Sequence, residues 1–191
     1  MSNIKINSSD DTAKIYKMVF AALFAALIAV GAYIKIPILI SPIPITLQVF
    51  FVLLAAVTLG RNWGTVSIIV YLLVGFIGLP VFAGGNSGVG VLLGPSGGYL
   101  YSFVIVAFLI GSFSEKIKKP NPIKIFAVAA CGSMLVLLIG SIHLAFATQI
   151  SLDAAFVGGF LPFILGDLIK AAAVGLIAPF LIKKINFPTN S

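Results

Sequence analysis

Long apolar runs separated by short polar clusters set the pattern of this chain. The runs cover residues 15–34, 45–59, 65–79, 99–113, 125–147 and 160–182. Most approach the roughly 20 residues that a helix needs to cross the hydrocarbon core of a bilayer. They predict an all-α integral membrane protein with six transmembrane helices. The second and third runs are short for a span, which predicts tilt or local thinning of the bilayer. Residues 1–14 predict a polar N-terminal arm, 15–184 a single six-helix membrane domain, and 185–191 a short tail. The first run is too long for a secretory signal and no small-residue cleavage site stands out, so it is expected to be retained.

The connections are as distinctive as the runs. Pro37, Pro42 and Pro44 fall within eight residues and forbid a regular helix there. Gly60-Arg61-Asn62-Trp63-Gly64 reads as a tight connection carrying a base and an interfacial aromatic. Residues 80–98 hold seven glycines, two prolines and no charge. Non-helical backbone at membrane depth is tolerated only where protein covers it or it lines a cavity. This segment is therefore expected to fold back into the bundle as a lid or lining, with a flexible external loop as the alternative. It is no phosphate-binding P-loop, because no Gly-Lys-Ser/Thr follows and no strand precedes it. The connection at 148–159 is mildly polar and carries Asp153.

Composition agrees with the membrane reading. Of 191 residues, 60% are hydrophobic and 9% charged, against about 25% charged in soluble domains. The net charge of +7 comes from bases scattered through connections rather than one dense patch, so a nucleic-acid partner is not expected. Cys131 is the one cysteine, which excludes an internal disulfide and a multi-cysteine metal site. Charge also sets orientation. Lys5, Lys14, Lys17, Arg61, Lys116, Lys118, Lys119, Lys124, Lys183 and Lys184 lie at one set of helix ends, and the opposite set holds only Lys35. The excess of bases marks the cytoplasmic side, so both termini are expected inside.

Candidate chemistry is concentrated in the last run. Asp167 and Lys170, at positions i and i+3, share a helix face. A charge in the bilayer costs at least about 2.5–3.5 kcal/mol, so such residues normally face a cavity or a partner within the protein. Either the pair serves a ligand site or it is a structural ion pair that fixes helix register. Entering from outside at 1.5 Å per residue, Asp167 lies roughly 10 Å along its span and Lys170 roughly 15 Å. Thr46, Gln48, Tyr99 and His143 fall in the same outer half, beneath the glycine-rich segment. The pattern describes a pocket opening outward; His143 alone reads as a structural residue. No Walker motif, nucleophile–base set or metal cluster is present, so no enzyme is expected. A channel or stand-alone carrier would need polar residues through both leaflets, and the inner half offers almost none.

Three stretches carry a family resemblance. They are Ser41-Pro42-Ile43-Pro44-Ile45-Thr46-Leu47-Gln48, the segment from Gly78-Leu79-Pro80-Val81-Phe82-Ala83-Gly84-Gly85 to Leu93-Gly94-Pro95-Ser96-Gly97-Gly98-Tyr99-Leu100, and Gly166-Asp167-Leu168-Ile169-Lys170. Together they resemble the BioY family, the biotin-specific substrate-binding components of energy-coupling-factor (ECF) transporters. Ser96 stands where the family usually has Thr, which keeps the hydroxyl. The resemblance implies a biotin pocket in the outer half, built from Asp167, Lys170, Asn86, Tyr99, Gln48 and Phe82. It implies no intrinsic cofactor, with ATP used by partner subunits: a membrane scaffold subunit and two ATPases. It also implies scaffold docking on a small-residue stripe of the first helix, either Ala21 and Ala25 or Ala22 and Ala26. An S-component for another vitamin, or a stand-alone small-solute carrier, is the alternative.

Overall fold

In lipid every backbone N–H and C=O must be paired within the chain, and a helix does this segment by segment. The apolar runs accordingly appear as helices in the computed structural model, which describes residues 8–39 and 41–185. They are α1 (Ser8–Tyr33), α2 (Gln48–Phe76), α3 (Val89–Leu93), α4 (Gly97–Glu115), α5 (Pro122–Thr148), α6 (Leu152–Gly159) and α7 (Ile164–Lys184). Of the expected polar arm, residues 8–14 belong to α1, because a helix continues past the hydrocarbon wherever its polar residues allow it. Residues 1–7, and the tail from 186, lie outside the described residues.

Five helical stretches among the described residues are long and apolar enough to cross a membrane. One of them, α2, is two legs. Gly60 has φ 74° and ψ −173°, a backbone state that L side chains rarely adopt. The chain reverses there, and the legs 48–59 and 61–76 lie side by side. Gln48 Nε2 comes within 2.5 Å of Tyr71 Oη, whereas 23 residues of straight helix would separate them by about 34 Å. A Cβ on Gly64 would sit 2.8 Å from the Ala56 Cα, so the lack of a side chain lets the legs touch. The connection expected over 60–64 thus shrinks to one residue. Glu115 at the end of α4 secures it, its Oε1 accepting from Arg61 N–H at 2.8 Å where the second leg begins. The six expected spans are therefore α1, the two legs of α2, α4, α5 and α7.

Helix ends follow local chemistry. Asn121 caps α5, its side chain accepting from Lys124 N–H at 2.8 Å, with Pro122 at the first helical position. Ser151 caps α6 in the same way. The connection expected at 148–159 is largely this short helix, followed by a 3-10 turn at Leu161–Phe163 that leads into α7. The proline-rich segment is closed by a two-residue antiparallel ladder, β1 (Lys35–Ile36) and β2 (Ile45–Thr46), pairing Lys35 with Thr46 and Ile36 with Ile45. In the bundle α2 packs on α1 and α4, α4 on α5, and α5 on α7. Leu53, Ile68, Val106, Val136 and Val174 are wholly buried among these helices.

Charge divides the bundle into two ends. Lys17, Asn62, Trp63, Glu115, Lys118 and Ile182 gather around one cavity, of about 530 Å³, at the basic end. The proline-rich segment, the glycine-rich segment and the start of α7 meet at the other.

Candidate ligand-binding site

At that second end a cavity of about 190 Å³ opens between α2, α4, α5 and α7. The residues expected to bind a ligand, Asp167, Lys170, Asn86, Tyr99, Gln48 and Phe82, all line it. Thr46 and Ser96 line it too.

Asp167 and Lys170 form its polar floor. Both are buried, at 1% and 9% exposure. Lys170 Nζ donates to Asp167 Oδ1 at 2.7 Å. Asp167 Oδ2 is buried and has no protein partner. A buried carboxylate oxygen left unpaired costs about 1–3 kcal/mol or more, because charge raises the desolvation penalty. The pair thus leaves one carboxylate oxygen without a donor, and Lys170 keeps N–H groups beyond the one it gives to Asp167.

The glycine-rich segment folds back as a lining. Phe82 and Asn86 pair as an isolated β-bridge across a tight reversal, with Gly84 and Gly85 at φ 78° and 79°. The Phe82 ring is fully buried. It slots over Gly75, where a Cβ would come 2.2 Å from its Cζ, and meets the Tyr71 ring edge-on at 5.7 Å. Asn86 Nδ2 donates to the Ala83 carbonyl at 2.8 Å, which leaves its own carbonyl and one N–H for the cavity. Gly88 N–H reaches the Gly75 carbonyl at 2.8 Å. The Tyr33 hydroxyl donates to the Pro80 carbonyl, and Gly84 N–H to the Ala32 carbonyl at 3.4 Å, so the end of α1 also holds this segment down.

Tyr99 contributes its ring rather than its hydroxyl. The ring lies against α5 at Gly140, where a Cβ would come 2.2 Å from it, and the hydroxyl donates to the Gly159 carbonyl at 2.7 Å. His143 does not line the cavity; its Nε2 bonds the Gly94 carbonyl at 3.1 Å and so anchors the glycine-rich segment, as a structural histidine would. Gln48 is held on both sides, accepting from the Thr46 hydroxyl at 3.1 Å and donating to the Tyr71 hydroxyl.

Several lining residues were not among the expected ones. Phe103 and Phe163 complete the apolar wall with Val49, Val136 and Leu137. A signal for two of them was present: Phe163 precedes Asp167 by four residues, and Phe103 follows Tyr99 by four, so each pair shares a helix face. On α1, Ala21 and Ala25 are buried at 2% and 7% and serve packing within the bundle. Ala22 and Ala26 are exposed on the outer face.

Comparisons with known proteins match this architecture. The BioY family model covers residues 5–187. The chain is 43% identical to the "Biotin transporter BioY" of Thermotoga maritima, over 85% of this chain and 93% of that one. It is 41% identical to the "Probable biotin transporter BioY" of Pyrococcus horikoshii, over 82% and 90% of the two chains. Against "BioY2" of Lactococcus lactis the identity is 40%, over 91% and 93%. A crystal structure of the "S-component for biotin from an ECF-type ABC transporter" superposes with a TM-score of 0.86 at 33% identity, covering 98% of this chain and 99% of that one. With nearly every residue inside the family match and the same fold in a solved relative, the chain belongs to the BioY family.

Proposed function

We propose that this protein is the biotin-binding membrane subunit of an ECF transporter, taking up the vitamin from outside a prokaryotic cell. The observation that carries the reading is the buried Asp167–Lys170 pair lining the cavity, with Asp167 Oδ2 left without a protein partner. Biotin's ureido ring presents two N–H donors and a carbonyl acceptor. Asp167 Oδ2 accepts one ureido N–H as a charge-assisted bond. Lys170 donates to the ureido carbonyl or to the valerate carboxylate, and neutralises Asp167 when the site is empty. Phe82, Tyr99, Phe103 and Phe163 enclose the apolar thioether ring, as small-ligand pockets generally do.

Transport energy comes from partners. Among the described residues the site holds no phosphate-binding loop, and the ATPase pair of an ECF module fills that role through a membrane scaffold subunit. Ala22 and Ala26 are the exposed small residues of α1, so they form the surface on which a scaffold helix docks closely. The basic end, with Lys118 and Lys184, faces the cytoplasm, and the cavity faces outward. Titration calorimetry of the purified protein against biotin, thiamine and riboflavin tests the reading. Biotin alone is expected to bind, and binding of another vitamin in its place refutes it.

A further inference from the structure

Gln48 lines the cavity as one link of a polar chain that runs away from it. Thr46 Oγ1 lies 3.1 Å from Gln48 Oε1, Gln48 Nε2 lies 2.5 Å from Tyr71 Oη, and Tyr71 Oη lies 3.2 Å from the Val81 carbonyl. The last member is a peptide oxygen, which can only accept. Tyr71 has a single proton, and that proton is therefore engaged by Val81. Its oxygen is left to accept, so the side of Gln48 that meets it must be the NH2 group. The Gln48 carbonyl then faces Thr46, whose one proton is engaged in turn. A peptide group that cannot reverse its polarity thus sets the direction of every bond up to the cavity wall.

The consequence lies in what remains. Gln48 keeps one N–H, on the Tyr71 side, and one carbonyl lone pair, on the Thr46 side. The Thr46 oxygen keeps lone pairs only, so it meets a ligand as an acceptor, as Asp167 Oδ2 does. Tyr71 is 1% exposed and does not line the cavity, so no solvent competes for its hydroxyl and no ligand touches it. We propose that Tyr71 is a positioning residue for ligand recognition: it dictates which edge of the Gln48 amide faces the cavity and makes Thr46 an acceptor. The inference rests on the reading of this cavity as a biotin site.

Tyr71→Phe keeps the ring and its edge contact with Phe82 but removes the hydroxyl, freeing the Gln48 amide to turn over. Biotin titration of the parent, Tyr71→Phe, Gln48→Ala and the double variant separates orientation from general loosening. Tyr71→Phe is expected to weaken biotin binding about tenfold. In the Gln48→Ala background the same change is expected to matter less than about twofold, because its route to the ligand is gone. Losses that multiply, or an unchanged affinity in Tyr71→Phe, overturn the proposal. Hydrogen exchange of the Gln48 side-chain amide in ligand-free protein, read by NMR, is expected to be slow in the parent and fast in Tyr71→Phe. Equal exchange in the two also overturns it. A parent that takes up no biotin but protects this amide defeats the biotin reading while the polar chain stands.

Discussion

Neutralising Asp167 separates two quantities that a buried ion pair joins. Asp167 is 1% exposed and accepts from Lys170 at 2.7 Å. Asp167→Asn leaves an ammonium buried at 9% exposure without its counter-charge. Breaking a buried pair by removing one partner costs about 3–5 kcal/mol of stability. The same change removes the charge-assisted acceptor offered by Oδ2, worth about 1.5–3 kcal/mol, which is about a 10- to 150-fold loss of biotin affinity. Asp167→Asn alone cannot tell a binding group from a structural strut, because destabilisation and the lost acceptor both reduce biotin binding. The double change Asp167→Leu with Lys170→Met can. Replacing a whole buried pair by apolar residues of similar size is often neutral or stabilising. The double variant is therefore expected to recover the parent's thermal midpoint in detergent and still to lack biotin binding by titration calorimetry. A double variant that binds biotin like the parent refutes the ligand role of the pair and leaves it a purely structural one.

Four further outcomes follow from the packing. Gly75→Ala would place a Cβ 2.2 Å from the Phe82 ring, an overpacking cost of about 1–3 kcal/mol, and is expected to lower both thermal midpoint and biotin affinity. Gly90→Ala, whose Cβ meets open space, is expected to change neither. Gly60→Ala forces a side chain into φ 74° and within 2.4 Å of Glu115 Oε1; about 1–3 kcal/mol of strain is expected as a lower midpoint in thermal unfolding. Ala22→Leu with Ala26→Leu is expected to leave biotin titration unchanged and to abolish co-purification with a scaffold subunit, whereas persistent co-purification would place docking elsewhere.

Much of this was legible in the residues. Run length and the paucity of charge announce the spans, and an acid and a base three apart in an apolar run announce the cavity, because lipid makes such residues costly anywhere else. The prolines of 37–44 and the glycines of 84 and 85 likewise declare irregular backbone. What stayed hidden has a common cause. A helix that is apolar on every side has no stripe to say which face is inward, so Ala21 and Ala22 look alike until packing buries one and exposes the other. Tyr71 is one tyrosine in an apolar run; its partner Gln48 is brought near only by the reversal at Gly60, and Val81 only by the chain folding back after α2. In the sequence that reversal reads as a five-residue connection because Gly60 and Gly64 both look like punctuation. Only the first is a turn; the second is a point of contact between the legs.

The shortness of the α2 legs has one more consequence. A leg of residues 48–59 rises about 18 Å, well under the ~30 Å of hydrocarbon. The missing height above it is made up by irregular chain, the ladder at Lys35–Thr46 on one side and the bridge at Phe82–Asn86 on the other. The cavity is thus roofed by turns and ladders rather than by helix. Those turns are tied by a few peptide hydrogen bonds, among them Phe82 N–H to the Asn86 carbonyl at 3.0 Å and Gly84 N–H to the Ala32 carbonyl at 3.4 Å.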